Sequence, residues 1–472
     1  MTIVSAAAFG GRSTADDPHD LVVTGARLVV TMDDARRELA GGWIAVRDGL
    51  VSAVGDASVP VPPAATVLDA ADGLITPGFV NTHHHIYQNL TRSFAPALDG
   101  DLFHWLRTLY PVWSRLDEEA AYVSAYVGLV ELALGGCTTS TDHLYVHPRG
   151  GGRLIDAEIR AALDVGMRFH PTRGSMSLSE KDGGLPPDSV VQDDDEILAD
   201  SERIVAEHHD RSHGAMIRIA LAPCSPFSVT PQLMVRTAEL AERLDVRLHT
   251  HIAEDAAEDA YCTEAFGRRP IEHLDAVGWA TNRTWVAHCI KPNAAEITLL
   301  GQRGVGVAHC PSSNQLIGGG LAPIAELRLA GVPVGLGCDG SASTDCASMW
   351  IEARAALLLG RLRGGAGAMR ARHVLEMATR GGAACLGRAG EIGELAVGAV
   401  ADLVVWPLDG ISFAGALSDP VEALLRCGPV AARHTVVAGR MLVQDGQPLA
   451  SDLSSQLRRH RAIAAEWLAA AT

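Results

Sequence analysis

Residues 74–85, "LITPGFVNTHHH", join an apolar run to three consecutive histidines. A short apolar run next to Pro and Gly is typical of a buried β-strand. Residues i and i+2 of a strand point to the same face, so His83 and His85 are predicted to face together and His84 to face away. Buried imidazoles are costly unless they are satisfied, and this pair therefore needs partners at the end of the strand.

The stretch is the first of eight strand candidates between residues 74 and 390, which alternate with amphipathic helical patterns. The others are "CTTSTDH", "MRFHPTR", "MIRIALAP", "VRLHTHIA", "TWVAHC", "GVGVAHC" and "VPVGLGCD". Eight such units predict an α/β protein built as a (β/α)8 TIM barrel. Nearly every run ends in His, Arg, Cys or Asp, and the active sites of this fold lie at the C-terminal ends of its strands.

Short β-rich runs flank this region at both ends of the chain. "VRDG" and "VQDG" both end in Asp-Gly, which is a strong hairpin signal. The two ends are therefore predicted to form one small β-sandwich. The predicted division is residues 1–73 for its N-terminal part, 74–390 for the barrel, and 391–472 for its C-terminal part and a terminal helix.

Composition narrows the classes of partner and compartment. The net charge of −17 disfavours nucleic acids, because their binding relies on lysine and arginine. No apolar run reaches the ~18 residues that a membrane span requires. Residues 1–19 lack a basic segment before their apolar patch, so we expect a loosely held tail rather than a secretory signal. Nine scattered cysteines without a CxxC pair argue against disulfides and favour a cytoplasmic location.

Further metal-ligand candidates end two other strands. His249 and His251 close the fifth strand candidate, and Asp339 closes the eighth. Imidazoles and a carboxylate on one barrel rim suit a divalent ion such as zinc or iron. His249 lies one pleat deeper than His251, and we expect it to support the site or to belong to the core. Histidines that form hydrogen bonds within the core would explain one such pair. They do not explain why three strands place groups of this kind on one rim.

The segments "PGFVNTHHH", "HTHIAE", "WVAHC" and "GCDGSAS", in this order, resemble the amidohydrolase superfamily. They resemble most its mononuclear aminohydrolases, which act on purines, pterins and triazines, and the resemblance covers essentially the whole chain. It implies a metal site whose ligands are His83, His85, His251 and Asp339. Zinc is the expected ion, with iron as the alternative.

The number of metal ions follows from the lysines. Binuclear members of this superfamily usually bridge two ions with a modified lysine at the end of the fourth strand. Here that strand ends "IRIALAPCSPFS", and Lys181 and Lys291, the only lysines of the chain, are not near it. One metal ion is therefore expected.

The resemblance also implies the catalytic residues. A single metal lowers the pKa of its bound water from ~15.7 toward ~7. Glu254 would protonate a ring nitrogen and then help deliver a proton to the departing amine. His288 would hold the water or the substrate oxygen, and Asp339 would take the proton of the water. Alternatively, Glu254 caps a helix and His288 is a core histidine.

Loop residues near the strand ends are the predicted substrate contacts: Gln88, His143, Arg173 and Cys224. The Gln88 carboxamide can pair with both donor and acceptor of a lactam edge. Arg173 either binds a ring carbonyl or anionic ring oxygen, or forms a salt bridge across loops. Three aromatic residues either stack on a flat heterocycle or pack in the core: Trp105, Tyr110 and Trp113.

The loop segments "NTHHHIYQNLTR", "STDHLYVHP", "TRGSMSLSEKDGGLPPDSVV" and "LAPCSPFSV" refine the resemblance. They imply hydrolytic deamination of 8-oxoguanine to urate and ammonia. The alternative is deamination of another amino-lactam ring: isoxanthopterin, isocytosine or a hydroxyatrazine-like triazine. A non-catalytic scaffold is remote, because such descendants typically lose the metal-cage residues that this chain keeps. We expect a small-molecule enzyme that forms a homo-oligomer, without a nucleic-acid or membrane partner.

Overall fold

The computed structural model describes residues 18–471. All eight predicted strands are present and form one closed parallel barrel in chain order, with the last strand beside the first. Its strands are β1 (Phe79–Asn81), β2 (Cys137–Leu144), β3 (Arg168–Ser175), β4 (Ala220–Pro223), β5 (Arg247–Ile252), β6 (Thr284–His288), β7 (Gly306–His309) and β8 (Val334–Leu336). The (β/α)8 prediction is confirmed.

Helices fill the connections between the strands and pack on the outside of the barrel. The α-helices are α1 (Leu102–Trp113), α2 (Glu118–Leu134), α3 (Leu154–Val165), α4 (Asp194–His208), α5 (Pro231–Leu244), α6 (Ala256–Phe266), α7 (Pro270–Ala276), α8 (Ala294–Arg303), α9 (Pro311–Leu316), α10 (Ile324–Leu329), α11 (Met349–Gly364), α12 (Ala371–Glu376), α13 (Gly382–Cys385), α14 (Pro420–Arg426) and α15 (Leu453–Ala471). Short 3-10 helices cover Ile86–Thr91, Ala95–Ala97, Glu180–Asp182 and Ile411–Phe413, and a π-helical turn covers Met377–Gly381.

Helix starts follow ordinary capping chemistry. The Asp101 carboxylate accepts a hydrogen bond from the His104 N–H at the start of α1, and Asp117 does the same for Ala120 at α2. Thr230 caps α5, where Pro231 is the first helical residue. Capping side chains satisfy N–H groups that have no partner inside the helix, and so fix where each helix begins.

Two further sheets are built from the chain ends, as predicted. The four-stranded sheet has the order Leu50–Gly55, Trp43–Arg47, His19–Thr24 and Ala64–Asp69. The seven-stranded sheet has the order Gln447–Pro448, Arg440–Gln444, His434–Val437, Leu403–Trp406, Leu74–Pro77, Leu28–Val30 and Glu38–Ala40. Both predicted hairpins form, and each has two successive left-handed residues, Asp48-Gly49 and Asp445-Gly446.

The opening stretch serves both the sandwich and the barrel. Leu74–Pro77 pairs antiparallel with Leu403–Trp406 in the seven-stranded sheet, whereas β1 belongs to the barrel. A Cβ on Gly78, between them, would lie 2.0 Å from the Thr138 hydroxyl oxygen, so only glycine fits there. The single strand predicted for this stretch is thus two strands, and the division at residues 73 and 390 stays a prediction.

Three predictions from composition concern particular parts of the chain. No helix within residues 18–471 is long and apolar enough to cross a membrane. All nine cysteines lie in the described part, and none is in a disulfide. The predicted tail lies outside the described residues apart from Pro18 and His19, and His19 begins the first strand of the sandwich.

Candidate metal centre and active site

Four predicted ligands from three strand ends meet at the mouth of the barrel. The Nε2 atom of His85 lies 3.0 Å from Nε2 of His251 and 3.3 Å from Oδ1 of Asp339. Nε2 of His83 lies 3.2 Å from the same carboxylate oxygen. Ligands bound at ~2.0–2.1 Å around a tetrahedral ion are about 3.3–3.4 Å apart. The four atoms are therefore spaced as ligands of one ion.

Hydrogen bonds fix the protonation of two of these imidazoles. Nδ1 of His85 lies 2.7 Å from the His143 carbonyl oxygen, and Nδ1 of His251 lies 2.7 Å from the Cys224 carbonyl oxygen. A carbonyl only accepts, so both Nδ1 atoms carry the proton. In a neutral imidazole the other nitrogen is then a bare lone pair. Both Nε2 atoms that face each other at 3.0 Å are therefore acceptors.

A chain of hydrogen bonds sets the protonation of His83 in the same way. Nδ1 of His249 lies 2.9 Å from the Trp285 carbonyl oxygen and donates to it. Nε2 of His249 must then accept from Nδ1 of His83, 2.8 Å away. The His83 Nε2 atom is left as a lone pair, buried and without a hydrogen-bond partner. His249 thus lies behind the cluster and orients His83, as the prediction of a supporting residue requires.

This arrangement fits a bound cation. Three imidazole lone pairs and a carboxylate share a buried space in which none of them can donate a hydrogen bond to another. Such a set is unfavourable by itself, but a divalent cation satisfies every member. Three nitrogens and one oxygen are ligands that zinc and iron accept. The residues present therefore fit the metal site that the sequence predicted.

The backbone is strained where the chain leaves three of the strands. Ala253, His288 and Asp339 have φ values of 53°, 70° and 58°, in the left-handed region that non-glycine residues rarely adopt. They follow or end β5, β6 and β8, at the mouth of the barrel. Strained backbone of this kind concentrates at functional sites, where the surrounding structure holds it in place.

A small cavity lies over the cluster. Its walls are formed by His85, Leu102, Trp105, Leu106, Tyr110, Tyr145, Cys224, Ser225, Phe227, His251, Glu254, His288, Ser313, Ile317, Asp339 and Ser343. Besides the polar groups of the cluster, much of the lining is apolar or aromatic. A mostly apolar cavity with a few convergent polar groups is the usual form of a small-molecule site.

Glu254 and His288 face each other across the floor of this cavity. Glu254 Oε1 lies 3.4 Å from His288 Nε2, which is also 3.8 Å from Asp339 Oδ2. Burial, reinforced by the negative charge of Asp339, raises the pKa of Glu254 well above its usual value. The amide oxygen of Asn314 accepts a hydrogen bond from His288 Nδ1, 3.1 Å away. A carboxyl group that holds its proton more tightly than an ordinary glutamate therefore lies beside the predicted metal site.

The structure separates the three aromatic candidates. Trp105 and Tyr110 line the cavity, and the buried Tyr110 hydroxyl has no hydrogen-bond partner. Trp113 does not line it; its indole N–H donates to the Thr91 hydroxyl and its ring packs edge-on against Tyr87. Trp113 thus takes the alternative role of a core residue.

The predicted substrate contacts differ in where they lie. Cys224 lines the cavity, as expected. Gln88 is fully buried behind the wall, with its amide 3.5 Å from the hydroxyl of Tyr145, which does line the cavity. His143 stacks against the His251 ring at 4.8 Å and donates to the Ala222 carbonyl oxygen. Both side chains support residues that reach the cavity.

Arg173 is not brought to the cavity, which corrects its prediction as a substrate contact. Its guanidinium donates to the Asp200 carboxylate at 2.6 Å, to the Gln192 amide oxygen at 2.9 Å and to the Gly174 carbonyl oxygen at 2.5 Å. A buried guanidinium needs partners for its donors, and α4 with its preceding loop supplies them. The salt bridge across loops, which the sequence left open, is what forms.

Three residues at the site were missed by the sequence interpretation. Tyr145 lies two residues after His143, and the period of two along an extended chain signals that it shares the same face. Asn314 lies in the short helix α9 after β7, and Ser343 lies in a turn after β8; neither segment is long enough to show a periodic pattern that indicates which side chain points inward. His84, by contrast, points away as predicted, and its Nδ1 lies 2.5 Å from the Asp339 carbonyl oxygen.

Comparison with known proteins agrees with this geometry. Residues 74–441 match the amidohydrolase family. The chain is 50% identical to an 8-oxoguanine deaminase of Pseudomonas aeruginosa over 431 residues, which are 91% of this chain and 96% of that protein. It is 37% identical to a hydroxydechloroatrazine ethylaminohydrolase of Pseudomonas sp. strain ADP over 446 residues, 90% of this chain and 91% of that one.

A solved structure agrees as well. The crystal structure of the atrazine chlorohydrolase from Arthrobacter aurescens TC1 complexed with zinc superposes with a TM-score of 0.89 at 33% identity, covering 94% of this chain and all of that one. The matched family covers most of the chain, and the buried histidine and aspartate cluster is of the type that such hydrolases need. The chain therefore belongs to the amidohydrolase family and is an enzyme of its deaminase type.

Proposed function

We propose that this enzyme hydrolyses the exocyclic amine of 8-oxoguanine, consuming one water and releasing urate and ammonia. The observation that carries the proposal is the floor of the cavity. There Glu254, whose pKa is raised, lies 3.4 Å from His288, beside four groups spaced as ligands of one cation. The choice of ring rests on the 50% identity to an 8-oxoguanine deaminase.

We assign the metal ligands to His83, His85, His251 and Asp339, with zinc as the ion and iron as the alternative. A related chlorohydrolase is described as complexed with zinc, which supports this choice. When bound, such an ion supplies a strongly acidified water at neutral pH. Asp339 also offers a second carboxylate oxygen toward His288, and is the group that we assign to receive a proton from the water.

Glu254 is the proposed general acid. Its carboxyl is buried and its pKa is raised, which favours the protonated form that can give a proton to a ring nitrogen. Protonation makes the neighbouring ring carbon more electrophilic. Glu254, now a carboxylate, takes the proton of the hydroxyl that the water has left on the ring carbon and passes it to the departing amine, which leaves as ammonia as the new carbonyl forms. The proton held by Asp339 then returns Glu254 to its starting form through solvent.

His288 is proposed to hold the oxygen that attacks the ring. Asn314 accepts from its Nδ1, so Nε2 is the nitrogen that faces Glu254, Asp339 and the cavity. A hydrogen-bonded imidazole cannot rotate freely, and its Nε2 is therefore aimed before substrate arrives. This orientation lets His288 accept a hydrogen bond from the water.

The upper wall is suited to a flat heterocycle with polar edges. Trp105 and Phe227 offer aromatic surface, while Cys224 and the unpartnered hydroxyl of Tyr110 offer polar atoms at its rim. We therefore place the lactam edge of the ring against Tyr110 and Cys224, with Gln88 acting through Tyr145.

The proposal keeps the wider setting expected from the sequence. The enzyme would act in purine metabolism in the cytoplasm, and nine free thiols support a reducing compartment. We also propose that the enzyme forms a homo-oligomer and acts on a small molecule, without a nucleic-acid partner.

A substrate panel tests the proposal. Zinc-loaded enzyme is assayed by ultraviolet absorbance and ammonia release with 8-oxoguanine, guanine, isoxanthopterin, isocytosine and hydroxyatrazine. We expect the highest kcat/KM for 8-oxoguanine, with urate as the product. A higher kcat/KM for another of these rings would identify that ring as the substrate instead. If no ring released ammonia, deamination would be refuted.

A further inference from the structure

Glu258 lies in the first turn of α6, four residues after Glu254, and holds the backbone that carries Glu254. We infer that Glu258 is a positioning residue, which fixes the place from which Glu254 delivers its proton. The inference rests on the proposed role of Glu254. Glu258 itself does not line the cavity.

Two hydrogen bonds define the arrangement. The Glu258 side chain is fully buried, with its Oε1 atom 2.9 Å from the Ala253 N–H nitrogen and its Oε2 atom 2.8 Å from the Glu254 N–H nitrogen. One carboxyl group thus accepts from two successive peptides. The second of those peptides is that of Glu254 itself.

The peptide held by Glu258 is in a conformation that needs support. Ala253 has a φ of 53°, which is unfavourable for a residue with a Cβ. Its carbonyl oxygen accepts from the N–H groups of Ile290 and Lys291, at 2.8 and 3.0 Å. Both sides of the strained residue are therefore fixed, by α6 on one side and by the segment after β6 on the other.

The contact differs from ordinary helix capping. Glu296, at the same third position of α8, accepts from the N–H of Asn293, the capping residue of its own helix. Asp255 occupies the capping position of α6 and caps Ala257. Glu258 reaches past Asp255 to the two residues before it. Capping alone does not require that reach, whereas aiming Glu254 into the cavity does.

A double-mutant cycle tests the inference. We compare wild type with Glu258→Gln, Glu254→Gln and the double variant, measuring kcat and KM for 8-oxoguanine together with bound zinc. In Glu258→Gln, the amide nitrogen of the new side chain would place a donor against one peptide N–H and break that bond. We expect kcat to fall about 10- to 100-fold, as for a misplaced catalytic group, with KM changed less than about threefold.

The cycle separates positioning from general damage. If Glu258 acts through Glu254, Glu258→Gln lowers kcat less than about twofold once Glu254 has already been replaced by glutamine. Glu296→Gln is the matched control, because it removes a buried capping glutamate elsewhere on the barrel. We expect it to lower the melting temperature while leaving kcat unchanged.

Glu258→Asp provides a second variant that does not depend on how well Glu258→Gln folds. It keeps the carboxyl group but is too short to reach both peptides, and we expect the same loss of kcat. Equal losses from Glu258→Gln in both backgrounds, or a wild-type kcat in both Glu258 variants, would overturn the inference alone. A wild-type kcat in Glu254→Gln would instead refute the proposed acid, and the positioning role with it.

Discussion

Buried polar side chains are paired in different ways at the two ends of the barrel. At its base Arg168, the first residue of β3, donates to both carboxylate oxygens of Asp402, at 3.1 and 3.0 Å, and both side chains are buried. At the mouth, the Nε2 atoms of His85 and His251 face each other at 3.0 Å, and neither can donate to the other. Groups of opposite charge are paired at the base, whereas two hydrogen-bond acceptors face each other at the mouth.

This difference separates stability from function within one fold. The Arg168–Asp402 pair joins the barrel to the segment leading into the C-terminal strands, and it is satisfied by the protein alone. The mouth is satisfied only when something from outside is bound. A cluster that the chain leaves incomplete is therefore a stronger sign of a site than a buried charge with its own partner.

Removing a ligand at the mouth is expected to have the largest effect. His251→Ala takes away one of the three lone pairs, and we expect loss of bound metal and of measurable ammonia release. Elemental analysis and the ammonia assay on the same sample check this. Chelation of the wild-type enzyme should give the same loss, reversed by adding zinc. Full activity after complete chelation would show that the mouth needs no cation.

Changing the proton donor beside the cluster is expected to have the next largest effect. Glu254→Gln keeps the shape and the cluster but cannot donate a carboxyl proton. We expect kcat to fall ~10²–10⁴-fold, the usual contribution of general acid–base catalysis, with bound metal unchanged. Steady-state kinetics together with metal analysis measure both. Loss of metal in this variant would assign Glu254 to the cluster instead.

At the base, the expected effect is on stability. Arg168→Met leaves Asp402 buried without its partner, and breaking a buried pair in this way costs about 3–5 kcal/mol. Urea unfolding measures the loss, and kcat at a temperature where the variant stays folded should equal that of wild type. A large fall in kcat without a loss of stability would contradict the division between the two ends.

A pair of acids outside the mouth sharpens the comparison, with the smallest expected effect. Glu158 on α3 and Asp142 on β2 face each other, both buried. Burial, followed by the neighbouring Asp142 carboxylate, raises the pKa of Glu158 well above its usual 4.5, and burial raises that of Asp142 to about 7. At this pair, a proton that one carboxyl group keeps, rather than a metal ion, removes the repulsion between the two acids.

The sign of the pH effect follows from that proton. Above about pH 4.5 the unfolded chain releases the Glu158 proton while the folded protein keeps it, so stability falls as pH rises, by up to about 1.4 kcal/mol per pH unit. Glu158→Gln does not titrate and still offers a donor to Asp142. We expect it to be more stable than wild type at pH 8, with the gain shrinking toward pH 5, in urea titrations. A gain that is equal at both pH values would show that Glu158 is not protonated in the fold.

The sequence predicted the barrel and the metal cluster because both depend on local patterns. Strands buried on both faces read as apolar runs, and the period of two along a strand places His83 and His85 together. Ligands at strand ends then meet because a closed parallel barrel brings all those ends to one rim. The match to the amidohydrolase family confirms the barrel.

Contacts between loops were beyond what such patterns indicate. Arg173 lies at the end of a strand as a pocket residue would, but its partner Asp200 is 27 residues away on α4. Nothing in the local sequence indicates which of several acids will pair with it. The break at Gly78 was hidden for a similar reason, because the need for glycine comes from Thr138 on a neighbouring segment.

That break has a practical consequence for engineering. The segment from Leu74 through Gly78 to His85 is short and contributes to both the sandwich and the barrel. The first proposed metal ligand, His83, is only five residues from Gly78, where the two strands join. Exchanging the sandwich for one from a relative would change the orientation of this segment and shift His83 with it. Chimeras that cut the chain after His85 should keep the alignment that cuts at residue 73 would lose.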